Sequence, residues 1–184
     1  MSNSRYVKMF RNINVAAECG NIKAVTYFLR QNPRAVHHRD RSADGCTPLF
    51  HAAWSSNIKL GKLLLDAGAN VNQTDRSNET PLHGASGWGE VRMVRFLLRH
   101  GARVNIRGAA GYYPLHWAVH SGNATVVRLL LEAGAKINVK NGSGDTPLEW
   151  ALRYRRHRAA RVLRAWQQKS TSNRRLQTDA KKRV

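Results

Sequence analysis

Short apolar stretches alternate with polar loops along the 184-residue chain, and the pattern returns every 33 residues. Each period opens with Pro-Leu behind a threonine or tyrosine, and these openings lie at Thr47, Thr80, Tyr113 and Thr146. A threonine hydroxyl can accept a hydrogen bond from a free amide of the first helical turn, and a proline in that turn has no amide to lose. The pattern therefore predicts a short helix after each opening.

A second helix is predicted in the later half of each period. Apolar residues at helical spacing run up to a glycine in three periods, at Gly68, Gly101 and Gly134. Such a run gives a helix an apolar stripe, and glycine ends a helix readily because it adopts the left-handed conformation. Because neither short helix could bury its stripe alone, we expect the helix pairs to stack side by side.

The chain resembles the ankyrin-repeat family, whose Thr-Pro-Leu-His-x-Ala start and Gly-Ala-x-Val-Asn finish are matched most fully by residues 80–105. The resemblance covers about residues 12–166 and implies an all-α solenoid of about five helix-turn-helix repeats with short hairpin loops. The repeats are placed near 12–46, 47–79, 80–112, 113–145 and 146–169, with an N-terminal lead at 1–11 and a basic flexible tail at 170–184. The first and last repeats depart from the pattern, as expected of caps.

Charge separates the C-terminal end from the rest of the chain. The formal net charge is +20, from 31 lysines and arginines against 11 acids, and residues 153–184 hold 12 of the basic residues with one acid, Asp179. Guanidinium groups suit phosphate and carboxylate, so an acidic partner is predicted. A bias towards arginine without functional meaning is the alternative that composition leaves open.

The histidines and cysteines form no pattern typical of catalysis or metal binding. His116 and His120 lie four residues apart and His37 and His38 are adjacent, but neither pair has further ligands nearby in the sequence. The resemblance implies that His83 and His116 are structural. The sequence has no nucleophile elbow, phosphate-binding loop or dinucleotide fingerprint. We therefore expect a non-catalytic protein without metal, cofactor or small-molecule substrate.

A protein-binding surface is implied by the resemblance, because hairpin tips and inner-helix positions form a concave face in this family. The candidate residues are Trp54, Ser55, Arg76, Ser77, Glu79, Trp88, Tyr112, His120 and Tyr154. Tryptophan and tyrosine are enriched at the energetic centres of interfaces. The alternative is that the rings fold back over neighbouring repeats. Trp117 and Trp150, one position further in, are expected in the core.

A second candidate surface is the basic C-terminal end. Its residues are Arg153, Arg155, Arg156, Arg158, Arg161, Arg164, Arg174, Arg175, Lys181, Lys182 and Arg183. Such a cluster can lie along a phosphate backbone and release counterions. A solvated capping face is the alternative interpretation, and the tail is expected to order on a partner.

Together these patterns predict an adaptor or scaffold that binds a protein through its concave face and hairpin tips, and RNA through its basic end. A ribonucleoprotein such as a ribosome is the concrete hypothesis. The alternatives are an acidic protein partner such as tubulin, or an anionic membrane surface. Two cysteines outside any paired spacing favour a reducing, intracellular compartment. Mitochondrial and nuclear or cytoplasmic locations stay open, and no apolar run is long enough to span a membrane.

Overall fold

The computed structural model describes residues 10–41 and 44–181, with side chains as far as residue 169. The described residues form helices and no strand. The α-helices are α1 (Ile13–Glu18), α2 (Ile22–Gln31), α3 (Pro48–Trp54), α4 (Ile58–Asp66), α5 (Pro81–Gly87), α6 (Val91–Arg99), α7 (Pro114–Ser121), α8 (Ala124–Glu132), α9 (Pro147–Arg153) and α10 (His157–Lys181). Short 3₁₀ turns cover Pro33–His37 and Ala109–Gly111.

Local capping explains where these helices begin. The Thr47 hydroxyl accepts a hydrogen bond from the Phe50 amide at 3.2 Å. Thr146 and Glu149 form a reciprocal capping box at the start of α9, in which the Thr146 amide donates to the Glu149 carboxylate at 2.8 Å. Each Pro-Leu opening is thus the first turn of a helix, as predicted.

The helix pairs stack into two rows. The odd-numbered helices α1 to α9 contact one another in order and form the inner row, and the even-numbered helices α2 to α10 form the outer row. One continuous apolar core runs between the rows. Its central leucines are at most 1% exposed, and they are Leu49, Leu60, Leu64, Leu82, Leu97, Leu115, Leu130 and Leu163. The expected all-α repeat solenoid is confirmed.

Asparagine side chains connect successive repeats beside the helix ends. The Asn72 side-chain amide donates to the Gly101 carbonyl at 3.1 Å, and the Asn105 amide donates to the Gly134 carbonyl at 3.0 Å. Both bonds span 29 residues, so the same contact recurs with the 33-residue period. Asn72 and Asn105, which follow the Gly-Ala-x-Val motifs, therefore fix how one hairpin sits on the next.

The C-terminal end of the described chain is one long helix. Helix α10 has 25 residues, a length of about 37 Å, and it continues through the predicted tail to Lys181. That residues 170–184 order on a partner stays a prediction, and Lys182 and Arg183 lie outside the described residues. Among the described residues, no helix is both long enough and apolar enough to cross a bilayer.

Candidate protein-binding groove and basic end

Two exposed tryptophans lie side by side on the inner row of helices. Trp54 ends α3 and Trp88 directly follows α5, and the two residues are 53% and 59% exposed. Their ring centroids are 5.3 Å apart in an edge-to-face arrangement, and the buried Phe50 ring stacks on Trp54 at 6.1 Å. Edge-to-face contact holds the pair in place. More than half of the surface of each tryptophan nevertheless faces outward and does not pack in the core.

A narrow slot opens beside this pair. It has a volume of about 250 Å³ and walls formed by Trp54, Trp88, Trp117 and His120, together with Glu79. Two glycines of α5 line the same slot. A Cβ atom at Gly87 would lie 3.3 Å from Trp117, and one at Gly84 would lie 3.7 Å from Phe50 and Trp54. Side chains at these two positions would therefore fill the slot.

A wider groove of about 470 Å³ continues from the slot towards the hairpin tips. Trp54 and Glu79 line both cavities, so the two form one surface, which we call the concave groove. The wider part is lined by Glu18, Asp44, Cys46, Phe50, His51, Trp54, Ser55, Asp75, Ser77, Glu79 and Ala109. Four of these residues are acidic, and none of the described residues in the lining is a lysine or arginine.

Glu79 stands where the slot and the wider groove meet. Its Oε1 atom accepts a hydrogen bond from the Trp117 indole at 2.9 Å, across 38 residues of sequence. Burial raises the pKa of Glu79, the Asp75 charge adds to this effect, and the bond from Trp117 opposes it. The carboxylate is therefore fixed in direction by a residue of the next repeat.

Asp75 shapes the hairpin tip below the groove. Its Oδ1 atom accepts hydrogen bonds from the backbone amides of Ser77 and Glu79, both at 2.8 Å. Burial raises the pKa of Asp75, and these two hydrogen bonds oppose the rise. The Asp44 charge raises the pKa further, and Arg39 lowers it. Asp75 thus combines a structural role with a charge that faces the groove.

The structure brings six of the nine predicted protein-binding residues to the concave groove. These six are Trp54, Ser55, Ser77, Glu79, Trp88 and His120. Arg76 is exposed at the tip, where its side chain lies against Gly45. Tyr154 is 48% exposed and packs on Trp150 at 4.3 Å, in the last repeat. The groove therefore belongs mainly to the first four repeats.

Tyr112 does not reach the groove. Its ring is half-buried between Trp117 at 5.6 Å and Trp150 at 5.2 Å, so it folds back over neighbouring repeats as the alternative interpretation proposed. Trp150 is buried. Trp117 is only half-buried and forms a wall of the slot, although its position favoured the core.

Sequence reasoning also missed Asp44 and Asp75 as groove residues. The sequence could have indicated them, because acids are rare in this chain and these two flank predicted hairpin tips. What the sequence did not show is that the tips of successive repeats turn their acids towards one groove.

The two motif histidines have structural roles, His83 in capping its own helix and His116 in joining two repeats. The Nδ1 atom of His83 accepts from the Thr80 amide at 3.0 Å, and the Nε2 atom of His116 bonds the Asp145 carbonyl of the next repeat at 3.1 Å. Both are at most 1% exposed. Burial lowers the pKa of His83 to about 4 and also lowers the pKa of His116. Both imidazoles are therefore neutral at pH 7, as their structural role requires.

Asp40, Cys46 and His51 place three possible metal-ligand atoms within 4.8 Å of one another. The His51 Nε2 atom already bonds the Asp40 carboxylate at 3.0 Å. Burial, reinforced by Asp40 and other nearby carboxylates, raises the pKa of the Cys46 thiol to about 12. The hydrogen bond between His51 and Asp40 holds these two side chains together beside the buried Cys46 thiol without an ion.

The basic end presents a separate surface. The arginines of the last repeat are all exposed, and they are Arg153, Arg155, Arg156, Arg158, Arg161 and Arg164. Arg153 pairs with the buried Asp145 carboxylate at 2.7 Å. The backbone of Arg174, Arg175 and Lys181 belongs to α10, and their side chains lie outside the described part of the chain.

A third cavity lies between the outer helices α8 and α10. Its volume is about 430 Å³, and it is lined by Arg128, Glu132, Arg161, Val162, Ala165, Trp166 and Lys169. Three cations and one indole surround a single acid. This lining has the chemistry of a polyanion contact, in which cations meet phosphates and a ring offers a stacking face.

The stacked helix pairs define a class of protein, the repeat solenoids, which present extended surfaces to other molecules. Residues 13–108 match a family model described as ankyrin repeats in three copies, and residues 97–151 match one described as ankyrin repeats in many copies. The chain belongs to the ankyrin-repeat family. The resemblance recognised in the sequence is confirmed, and ankyrin repeats mediate protein–protein interaction and are generally non-catalytic.

Similarity to a curated protein covers one part of the chain. Over 68 residues the chain is 37% identical to diacylglycerol kinase iota of Rattus norvegicus. The match takes in 37% of this chain and 6% of that protein. So small a share of the kinase carries no implication about catalysis here.

Proposed function

We propose that this chain is a non-catalytic adaptor that holds a partner protein in its concave groove. The observation that carries this proposal is the pair Trp54 and Trp88, which is more than half exposed beside a slot kept open by glycine. Large exposed rings around a cavity are typical of interaction sites, because their burial by a partner is favourable.

Affinity purification of the tagged full-length protein from its native cell tests this proposal. The double variant Trp54→Ala/Trp88→Ala should lose its main co-purifying protein, because it loses the exposed rings. Tyr27→Ala is the matched control, since Tyr27 is 41% exposed on α2 in the outer row. Equal recovery of the partner by the double variant and the control would refute binding through the groove.

A second candidate function is contact with RNA through the basic end, as in a ribonucleoprotein. The observation that favours it is the exposure of six arginines in the last repeat, beside the cationic cavity that contains Trp166. Filter binding to a structured RNA at low and moderate salt tests it. Affinity should fall by about tenfold or more between 50 and 200 mM salt.

The variant Arg155→Gln/Arg156→Gln/Arg158→Gln should weaken this binding. The control Arg92→Gln/Arg95→Gln/Arg99→Gln removes the same charge from exposed positions of α6. Loss of RNA binding in both triple variants would indicate only a general attraction to a basic protein. Binding of an acidic protein such as tubulin, or of anionic vesicles, in place of RNA would assign the basic end to one of those alternatives.

A further inference from the structure

The sign of charge in the concave groove is opposite to that of the whole chain. Lysine and arginine outnumber acids 31 to 11 in the sequence. The described lining of the wider groove nevertheless contains Glu18, Asp44, Asp75 and Glu79, with no lysine or arginine. Four of the eleven acids thus meet in one cavity. The excess of positive charge therefore does not extend to the concave groove, and a polyanionic partner would not suit this surface.

These carboxylates act together on their surroundings. After burial, the largest causes that raise the pKa of Cys46 are the charges of Asp40, Asp75, Asp44 and Glu18, in that order. The same negative field reaches Glu79, whose pKa is raised by burial and then by Asp75 and Asp44. Arg39 partly offsets the field at Asp75, and Arg76 lies at the rim against Gly45. Neither arginine belongs to the described lining of the wider groove, whose charged side chains are the four carboxylates.

The slot has the dimensions and walls to receive one long side chain. Its volume of about 250 Å³ lies below the range of about 300–1,000 Å³ usual for small-molecule sites. Indole faces attract a guanidinium or ammonium group, and a carboxylate forms charge-assisted hydrogen bonds with it. Trp54, Trp88 and Trp117 supply the rings, and Glu79 supplies the carboxylate at the junction with the wider groove.

We propose that the concave groove binds a basic segment of a partner protein, with one arginine or lysine side chain in the slot and further basic residues over the acidic tips. The inference rests on the proposed adaptor function and specifies its partner. An acidic partner, which the composition of the whole chain predicts, belongs to the basic end and not to this groove.

Titration calorimetry with the full-length protein and three capped peptides tests this assignment. The peptides alternate glycine with arginine, glutamine or glutamate and are otherwise identical. The arginine peptide should bind most tightly, although the protein carries a net charge of +20 that repels it in general. Its affinity should fall with rising salt, because the contacts are ionic.

Variants locate the binding. Glu79→Gln removes the charge and keeps an oxygen that can accept from Trp117, so the arginine peptide should bind about fivefold more weakly or worse. Trp88→Ala should have an effect of similar size through the lost ring. Asp66→Asn and Tyr27→Ala are the matched controls, since both residues are exposed on outer helices, and they should bind as the wild type does.

Absence of arginine-peptide binding, or equal weakening by Glu79→Gln and Asp66→Asn, would overturn the inference. Preferred binding of the glutamate or glutamine peptide that depends on Trp88 would also overturn it, while leaving the adaptor function in place. A peptide of residues 170–184 tests the chain itself as the occupant. Two results together would show that the occupant is this segment and not a separate protein. The 170–184 peptide would bind in the groove at least tenfold more tightly than the arginine peptide, and removing residues 170–184 from the protein would tighten binding of the arginine peptide.

Discussion

Acidification should destabilise the array through His83. This imidazole is 1% exposed, and burial lowers its pKa from 6.5 to about 4. The unfolded chain therefore takes up a proton on this residue at a higher pH than the folded chain does. Its contribution to the free energy of unfolding is fully present above pH 6.5, falls progressively below that pH, and is lost once the pH has fallen through 4.

The magnitude follows from the two pKa values. A pKa of about 4 in the folded chain against 6.5 in the unfolded chain corresponds to about 3 kcal/mol over the whole window, at about 1.4 kcal/mol per unit. At pH 5 the His83 imidazole is already protonated in the unfolded chain but not in the folded chain, so about 2 kcal/mol of this contribution is lost. Against a domain stability of about 5–15 kcal/mol, this loss is readily measured.

Urea unfolding followed by circular dichroism at pH 7.5 and pH 5.0 measures it in the wild type and in His83→Gln. Glutamine at this position can keep the capping box with Thr80, much as Glu149 does with Thr146, but it does not titrate. Between pH 7.5 and pH 5.0, the free energy of unfolding should fall by about 2 kcal/mol more in the wild type than in the variant.

Other titrating groups do not affect the difference between the wild type and His83→Gln, because they are present in both proteins. Burial lowers the pKa of His116, which destabilises the fold in acid, whereas the raised pKa values of Asp75 and Glu79 act in the opposite direction. Their effects cancel when the two proteins are subtracted. An equal pH dependence in wild type and variant would refute the assignment of the acid lability to His83.

Four further substitutions probe packing, backbone strain and capping by urea unfolding. Gly142→Ala should lower the free energy of unfolding by more than about 2 kcal/mol, because the new Cβ atom would lie 2.5 Å from the Ala110 carbonyl oxygen. Gly144→Ala should lower it by about 1 kcal/mol, because the only strain there comes from the positive φ of +84°. Leu97→Ala should lose about 2–5 kcal/mol, since this core leucine is fully buried. Thr47→Ala should lose about 1 kcal/mol with the cap of α3. Equal losses at the two glycines, or a core loss below that of the cap, would contradict these assignments.

The fold could be predicted from the sequence because its determinants are local. A cap, a proline and an apolar stripe lie within one hairpin, and the 33-residue period repeats them. The asparagine bonds from Asn72 and Asn105 then link hairpins in a fixed register. Once one hairpin is specified, stacking determines the rest of the array.

The site was predictable only in part, because its geometry depends on contacts between repeats. The position of Trp54 and Trp88 follows from the repeat register alone. The bond from Trp117 to Glu79 spans 38 residues and depends on how far one hairpin is rotated against the next. Tyr112, predicted to be exposed at a tip, instead packs between Trp117 and Trp150 of later repeats.

The charge of each surface, and not the net charge, decides which partner it suits. The acids of the concave groove lie between residues 18 and 79, and the exposed arginines of the last repeat lie between residues 153 and 164. Because each repeat contacts only its neighbours, the array keeps these two charged surfaces from neutralising each other. The net charge of the whole chain, +20, does not reveal this separation. A groove substitution should therefore change binding of a basic peptide without changing binding of a polyanion, and a substitution at the basic end should do the reverse.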